Sequence, residues 1–374
     1  MTTWDPSQAM EGGLAPMSGE LQAAIEAQKA GRLSEAEAGY RNVLRRRPGD
    51  VEALMLLGVL LQNKPDLGGA CTTFAAATEV APHMAVAWLS LGACLWRLDR
   101  ADEAVSALSR ASSLDPRYEV AYSLRALLLN RQGRFAEAAE VYREWHAHHP
   151  SNPLAKHMLA ATSGIGAPPR APPEYIRLHF DRLAADFDQH LLALEYRGPE
   201  VVAAGLRDRV GTGTLLDIVD AGCGTGLGGP ALRPLARRLV GVDLSPQMIE
   251  KARGRATYDA LAVQEISEFM RAHPSSFDAV VCVDTFIYFG ESDEPLRAAR
   301  SCLRPGGLVA FTAECLEDAA PYRLEQHGRY RHSAAYIREA VAGAGFTDLS
   351  IETHALRRER GMDVMCYVGV ARVA

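Results

Sequence analysis

The first half of the chain repeats small and bulky apolar residues at a fixed spacing. Proline recurs every 34 residues, at Pro48, Pro82, Pro116 and Pro150. Alanine stands twelve residues before each proline, at Ala36, Ala70, Ala104 and Ala138. A bulky residue stands eight before it, at Tyr40, Phe74, Leu108 and Tyr142. Small residues let two helices approach, bulky ones fill the adjoining hole, and proline ends the second helix. The pattern therefore predicts a series of helical hairpins.

This repeat resembles the tetratricopeptide (TPR) repeat over about four units, residues 17–152. The first unit departs from the pattern, with Ala24 and Ala27 where larger residues or glycine are usual. The resemblance implies an all-α superhelix with a concave face, suited to a peptide or a partner protein. The alternative is a packing module that shapes or dimerises the neighbouring domain.

The pattern changes after about residue 214 to short apolar strands that alternate with helices. The predicted strands are 214–220, 239–243, 259–263, 277–284 and 308–314, with 348–353 and 364–371 as a last pair. The predicted helices are one from the glycine loop to about Arg238, then 246–255, 294–302 and 333–344. Such alternation predicts a parallel sheet with helices on both faces and ligands at the carboxyl ends of its strands. The stretch Ser163–Pro173 (SGIGAPPRAPP) cannot continue a helix, so we predict a linker over 153–173 and a second domain over 174–374.

Composition and charge narrow the function classes. The 374 residues are 48% hydrophobic and 23% charged, as in a soluble globular protein of two or three domains. The net charge of −6 disfavours nucleic acid and anionic lipid as partners. The longest apolar run, near Val51–Leu61, is shorter than the roughly 20 residues of a membrane span. We therefore expect neither a nucleic-acid nor a membrane partner.

The cysteines and the N-terminus indicate a cytoplasmic chain. There are seven cysteines, an odd number, and no C-x-x-C pair. We therefore expect reduced thiols and neither a disulfide frame nor a metal site. Met1–Pro16 contains Asp5 and Glu11 and has no apolar core, so we expect no signal peptide.

A glycine loop follows the first predicted strand. Gly224-x-Gly226-x-x-Gly229 by itself fits a dinucleotide fingerprint. Asp220, two residues before Gly222, would repel the pyrophosphate that such a fingerprint holds. S-adenosylmethionine instead carries a sulfonium and an α-ammonium group, which an acidic residue favours. The loop therefore indicates this cofactor, with a dehydrogenase as the minor alternative.

Asp220–Gly226 (DAGCGTG) resembles the first motif of class I S-adenosylmethionine-dependent methyltransferases, and 241–248 (GVDLSPQM) is also similar to the family. The resemblance covers residues 174–374 and implies a Rossmann-like domain with a seven-stranded mixed sheet whose last strand is antiparallel. It implies that Asp243 holds the ribose hydroxyls, that Leu244 and Met248 flank the adenine, and that Glu265 and Ile266 reach its edge. The implied cofactor-binding residues are Asp220, Gly222, Cys223, Gly224, Gly226, Asp243, Leu244, Met248, Glu265, Ile266 and Asp284.

Residues 179–199 resemble the N-terminal helices of bacterial TPR-linked methyltransferases, although Leu183 stands where several members carry tyrosine. Methyl transfer from a sulfonium needs few protein groups, because holding donor and nucleophile together supplies much of the acceleration. The candidate catalytic residues are Asp284, Tyr288 and His332, with Phe289 and Tyr330 as further candidates for the substrate wall. His332 could be a general base, or it could cap the helix that follows.

The sequence leaves the methyl acceptor open. The fourth strand runs into Val283–Phe286 (VDTF) rather than the N/D-P-P-Y/F segment of enzymes that methylate amino groups of nucleobases or glutamine. We expect a small-molecule or carrier-bound acceptor. One alternative is a protein methyltransferase whose client binds in the TPR groove, and another is a non-catalytic TPR scaffold that binds the cofactor without turnover.

Overall fold

The computed structural model describes residues 18–164, 166–211, 213–359 and 361–374. These residues form two compact units that divide between Ala155 and Lys156. The predicted boundaries at 152/153 and 173/174 remain predictions. A helix, Pro153–Ser163, occupies the first half of the segment predicted as a linker.

The N-terminal unit consists of consecutive antiparallel helices joined by short turns. They are α1 (Gly19–Lys29), α2 (Leu33–Arg46), α3 (Val51–Asn63), α4 (Leu67–Val80), α5 (Ala85–Arg97), α6 (Ala101–Leu114), α7 (Glu119–Arg131) and α8 (Phe135–His148), with α9 (Pro153–Ser163) next along the chain. The repeat prolines lie in the turns that follow α2, α4, α6 and α8. The predicted helical hairpins are therefore confirmed.

Small residues of the repeat lie where two helices touch. Ala36, Ala70 and Ala104 are fully buried. A Cβ atom added at Gly58 of α3 would lie 2.5 Å from the Phe74 ring of α4, closer than carbon atoms can pack. This contact explains why one column of the repeat is small and the column facing it is bulky.

The C-terminal unit is a mixed sheet with helices packed on it. Its helices are α10 (Pro173–Leu183), α11 (Phe187–Ala193), α12 (Gly198–Val210), α13 (Gly229–Leu232), α14 (Pro246–Gly254), α15 (Ile266–Ala272), α16 (Asp293–Cys302) and α17 (Ala334–Gly343). Its strands are β1 (Leu216–Ala221), β2 (Ala236–Asp243), β3 (Ala260–Val263), β4 (Phe277–Cys282), β5 (Leu303–Cys315), β6 (Tyr322–Leu324), β7 (Tyr330–His332), β8 (Phe346–Glu359) and β9 (Met362–Val373).

The strand order places a ligand cleft at β1. The main path is β3-β2-β1-β4-β5, and β9 joins β5 in the antiparallel direction and pairs with β8. Strands β2 and β3 lie on one side of β1, and β4 and β5 lie on the other. The direction in which successive strands are added therefore reverses at β1. Ligands of such sheets bind outside the carboxyl ends of the strands at this reversal. The Rossmann-like fold with an antiparallel last strand is confirmed.

Two details of the predicted fold are wrong. The described sheet has nine strands rather than seven, because a short hairpin of β6 and β7 pairs with the end of β5 through Arg331 and His332.

The helix predicted to reach Arg238 ends much earlier. After one turn of α13 the chain forms a 3-10 turn over Arg233–Leu235, because Pro234 cannot continue an α-helix, and β2 then begins at Ala236.

Among the described residues, no helix combines the length and the apolar character that crossing a lipid bilayer requires.

Candidate cofactor and acceptor site

The turn after β1 is built from bare backbone. Gly222 and Gly226 have φ values of +86° and +83°, a region that side chains rarely adopt. A Cβ atom at Gly222 would lie 2.4 Å from Oγ1 of Thr285, and one at Gly226 would lie 3.1 Å from Cβ of Ala252. Both positions therefore require glycine, and the loop offers backbone rather than side chains to a ligand.

Asp243 is fixed at the end of β2. Its Oδ2 accepts a hydrogen bond from the backbone N–H of Gly224 at 2.9 Å, and its Oδ1 accepts one from Ser245 at 2.8 Å. A carboxylate has about four lone-pair sites, so two remain for the hydroxyls of a ligand. Burial raises the pKa of this carboxyl to about 6, against the opposing effect of the two backbone N–H groups.

Asp220 lies at the end of β1 and is only 3% exposed. The hydroxyl of Tyr258 donates to its Oδ2 at 2.7 Å. Burial, assisted by the nearby charge of Asp243 and opposed by the Tyr258 hydrogen bond, raises the pKa of Asp220 to about 6. Two carboxylates thus lie beside the glycine loop, as the sequence motif implies.

Tyr258 was not predicted as a site residue. Its ring also lies 3.0 Å from the positions that Cβ atoms would take at Gly226 and Gly229, so it packs directly against the glycine loop. No spacing in the sequence links Tyr258 to Asp220, because the contact joins the segment before β3 to the end of β1.

The residues implied to flank the adenine, Leu244 and Met248, lie at the start of α14, and Ile266, implied to reach its edge, begins α15. Met248 is fully buried, Ile266 is buried, and Leu244 is half-buried. Cys223 is buried in the loop itself, and burial raises the pKa of its thiol well above the usual value, so it stays protonated. The sheet therefore brings these predicted residues together at one edge.

Glu265 has two protein partners at this edge. Its Oε2 accepts the backbone N–H of Glu268 at 2.9 Å, which caps α15, and its Oε1 pairs with Arg170 at 3.1 Å. Arg170 comes from the segment predicted as a linker, and it was not predicted to take part.

Asp284 follows β4 with a φ of +49°, a conformation that is strained for a residue other than glycine. Its Oδ2 accepts a hydrogen bond from Nη1 of Arg357 at 2.7 Å, and its Oδ1 accepts one from the Thr312 hydroxyl at 3.2 Å. Arg357 is 4% exposed and also pairs with Glu314 and Glu359. Each oxygen of Asp284 therefore accepts one bond from the protein, and the Arg357 guanidinium balances its charge.

His332 does not present a free imidazole. It is fully buried, and its Nε2 donates to the carbonyl oxygen of Phe289 at 2.7 Å. Burial lowers the pKa of His332 to about 4, so the ring is neutral at pH 7. Its Nδ1 is buried without a hydrogen-bond partner among the described residues. These contacts fasten β7 to the loop after β4, as expected of a structural histidine rather than a base open to substrate.

Tyr288 and Phe289 occupy the loop after β4. Tyr288 is buried, and its ring meets that of Phe180 edge-on with centroids 5.5 Å apart. Burial raises the pKa of Tyr288, so the phenol keeps its proton at neutral pH. The guanidinium carbon of Arg170 lies over the Phe289 ring, 4.7 Å from the ring centroid. Tyr330 is buried and donates its hydroxyl to the carbonyl of Pro168 at 2.6 Å.

Helices α10 and α11 close the cleft with two more carboxylates. Asp181 accepts a hydrogen bond from the Ser245 hydroxyl at 2.6 Å, and Asp188 accepts one from the Thr225 hydroxyl at 2.5 Å. Asp188 also pairs with Arg255. These contacts tie the helices to the glycine loop and to the start of α14. In the sequence, this segment is distinguished only by its resemblance to the N-terminal helices of TPR-linked methyltransferases.

Comparison with known proteins identifies the family. Residues 218–307 match the model of a methyltransferase domain. The human methyltransferase-like protein 27 is 32% identical over 184 residues, which cover 45% of this chain and 74% of that protein. This chain belongs to the methyltransferase family.

Other matches are shorter or more distant. A ubiquinone biosynthesis O-methyltransferase of Xanthomonas campestris pv. campestris is 31% identical over 96 residues, 25% of the methyltransferase chain and 40% of the relative. A 1,6-didemethyltoxoflavin-N1-methyltransferase structure from Burkholderia thailandensis superimposes with a TM-score of 0.45 and 19% identity, covering 56% and 93% of the two chains. Residues 2–147 match the C-terminal domain of cilia and flagella-associated protein 70. Within the described ranges, the methyltransferase holds no group of three or more His, Cys, Asp or Glu side chains that could bind a metal ion.

Proposed function

We propose that the C-terminal unit transfers a methyl group from S-adenosylmethionine to a small-molecule or carrier-bound acceptor by in-line displacement. The observation that supports this most directly is the pair of carboxylates, buried Asp220 and half-buried Asp243, beside the bare backbone of Gly224. Such a cleft stabilises cationic sulfonium and ammonium groups and repels a diphosphate.

The free lone pairs of Asp243 suit two ribose hydroxyls, and the carboxylate of Asp220 suits the ammonium end of the cofactor. The other residues that we propose to hold the cofactor are Gly222, Cys223, Gly224, Gly226, Leu244, Met248, Glu265, Ile266 and Asp284. When bound, the cofactor supplies a methyl carbon activated by its positive sulfur.

The protein's own contribution to the reaction is to hold and shield the reacting groups. Donor and nucleophile must lie about 3–3.5 Å apart and in line. Tyr288 and Asp284 follow β4 and would border the acceptor. Because His332 and Asp284 are engaged with protein groups, we propose that the acceptor atom arrives already deprotonated, in which case no general base is required.

Calorimetric titration of the purified chain tests the cofactor assignment. We expect S-adenosylmethionine to bind with micromolar affinity and NAD not to bind. Binding of NAD alone would overturn the proposal.

Methyl labelling tests the acceptor class. The chain is incubated with tritiated S-adenosylmethionine and a cell lysate, and the products are separated by size. Label in small solutes or on a carrier supports the proposal. Label on other proteins would favour the second candidate, a protein methyltransferase whose client is recruited by the TPR-like unit over 17–152, which the helical hairpins make feasible. Tight cofactor binding without any label would favour a scaffold.

A further inference from the structure

A continuous wall of rings leads away from the glycine loop. Phe187 lies 4.0 Å from the position of a Cβ atom at Gly224. Its ring meets Phe180 edge-on with centroids 5.9 Å apart, and Phe180 meets both Tyr288 at 5.5 Å and His179 at 5.3 Å. Phe180, Phe187 and His179 are only partly buried. The wall, defined as Phe187, Phe180, Tyr288 and His179, therefore offers an apolar surface that begins where the methionine end of the cofactor is proposed to lie.

Arg329 is connected to this wall through Tyr175. It follows Gly328, where an added Cβ atom would lie 3.0 Å from the Tyr175 hydroxyl, and the Tyr175 ring stacks on His179 with centroids 5.6 Å apart. Arg329 donates from Nε to Glu314 at 2.8 Å and from Nη2 to the two oxygens of Glu359 at 2.8 and 2.9 Å. Its remaining nitrogen, Nη1, has no hydrogen-bond partner among the residues that the structure describes. The side chain is 21% exposed, whereas Glu314 is 1% exposed. Nη1 is therefore the nitrogen of this guanidinium that is left to bind a ligand.

The positive charge of Arg329 affects the pKa values of two nearby histidines. Burial, together with the positive charge of Arg329, lowers the pKa of His179 to about 4 and that of His327 to about 3. Both imidazoles are thus neutral at pH 7, and neither competes with Arg329 for an anion. Arg329 also opposes the rise in the pKa of Tyr288 that burial causes.

Each carboxylate of this region pairs with at least one arginine other than Arg329. Glu314 and Glu359 both pair with Arg357 as well as with Arg329, and Oε2 of Glu314 lies 3.6 Å from Nε of Arg331. Asp284 pairs with Arg357. Three arginines, Arg329 included, thus face three carboxylates, and an anion bound at Nη1 would meet no carboxylate of this network that lacks an ion-pair partner.

We propose that the methyl acceptor is an organic carboxylate, whose anionic group binds Nη1 of Arg329 while its apolar or aromatic body lies against the ring wall. This inference rests on the proposed function and adds a substrate class to it. A planar guanidinium edge is suited to a carboxylate, and rings that meet edge-on are suited to a flat or apolar body. Arg329 would then determine specificity rather than take part in bond making.

Binding of matched acids and amides tests the proposal directly, because only the acid carries the anionic group that Arg329 would bind. The full chain is saturated with S-adenosylhomocysteine, and benzoate and 3-phenylpropanoate are titrated in, each compared with its own amide. We expect at least one acid to bind at least tenfold more tightly than its amide. Equal affinity within both pairs, or no binding of either acid, would overturn the proposal.

Substitutions test whether Arg329 is the cation that binds the acid. Arg329→Gln should reduce acid binding at least tenfold, and Arg329→Lys should retain part of it. Arg323→Gln removes an exposed arginine of the same hairpin, which pairs with Asp318, and should leave acid binding unchanged. Acid affinity that survives in Arg329→Gln, or falls equally in Arg323→Gln, would contradict the assignment.

Affinity for S-adenosylhomocysteine separates this inference from the proposed function. Unchanged cofactor affinity in Arg329→Gln, together with lost acid binding, supports the inference. If Arg329→Gln does not fold, the comparison of acid with amide in the unaltered protein decides. Failure of the unaltered protein to bind S-adenosylhomocysteine would instead overturn the proposed function.

Discussion

At the scale of single residues, two poorly exposed carboxylates, one buried and one half-buried, characterise the cofactor cleft. Asp220 and Asp243 lie at the ends of neighbouring strands, and burial raises the pKa of each to about 6. Their proximity is unfavourable in the empty cleft, because two like charges are held in a poorly solvated place. A cationic ligand relieves that cost and an anionic one increases it.

Asp243→Ala is expected to weaken S-adenosylmethionine binding by about 2–3 kcal/mol, because a charge-assisted pair of hydrogen bonds is lost. Calorimetry measures the change. Glu250→Ala, at an exposed position on α14, is the matched control and should not alter the affinity. An unaltered affinity in Asp243→Ala would show that the ribose ligand is wrongly assigned.

Cofactor binding is expected to weaken as the pH falls from 7 to 5. Below pH 6, Asp220 and Asp243 become protonated in the empty protein, and binding must then expel those protons. Each carboxyl that must ionise costs up to about tenfold in affinity per pH unit below its pKa. The stability of the empty fold changes in the opposite direction, because a pKa raised by folding favours the protonated native state.

Calorimetry at pH 7, 6 and 5 measures this dependence, and Asp220→Asn should remove part of it. An affinity that does not change with pH would mean that neither carboxyl needs to be ionised for binding.

At the scale of elements, single residues decide how closely helices pack and where a helical segment ends. Gly58 lets α3 approach the Phe74 ring of α4 closely, and Pro234 ends the segment after the glycine loop so that β2 starts at Ala236. In the C-terminal unit, the β6–β7 hairpin attaches Arg329 and His332 to the end of β5. Such short elements place chemically important side chains without a periodic pattern of their own.

Gly58→Ala is expected to destabilise the N-terminal unit by about 1–3 kcal/mol, because the added methyl would overlap the Phe74 ring. Gly68→Ala is the same change on α4, at a position with nothing within 4 Å, and should stabilise by up to about 1 kcal/mol. Urea denaturation followed by circular dichroism measures both. Similar effects of the two substitutions would contradict the packing argument.

At the scale of the whole molecule, each unit has its own hydrophobic core. One core joins helices from Leu21 to Leu128, and the other joins α12 to the sheet from Val202 to Val370. A unit with its own core can unfold by itself. The cofactor residues all lie in the C-terminal unit, so ligand binding should stabilise that unit alone.

Calorimetric melting of the full chain is expected to show two transitions, only one of which shifts upward with S-adenosylhomocysteine. At a ligand concentration of 100 times Kd, the stabilisation is about 2.7 kcal/mol by mass action. Asp243→Ala should abolish most of the shift. An equal shift of both transitions would show that the two units unfold together.

Local patterns in the sequence were sufficient to predict the helical hairpins, the alternating strands and the glycine loop. Spacings of 34 residues and motifs such as Asp220–Gly226 express contacts between near neighbours or a repeated unit, and they can therefore be read along the chain. The positions of Asp220 and Asp243 follow from this, because the ends of adjacent parallel strands meet at one edge of a sheet.

Only the tertiary structure decided which side chains are free to act. His332 and Asp284 were predicted from their positions after strands, yet His332 is bonded to the backbone at Phe289 and Asp284 is held by Arg357, 73 residues further along the chain. Arg329 and Tyr258 carried no signal in the sequence, because their partners are distant in the chain and a lone arginine or tyrosine has no distinctive spacing. Local order along the chain specifies backbone and motif, whereas burial and pairing of charges depend on the assembled sheet.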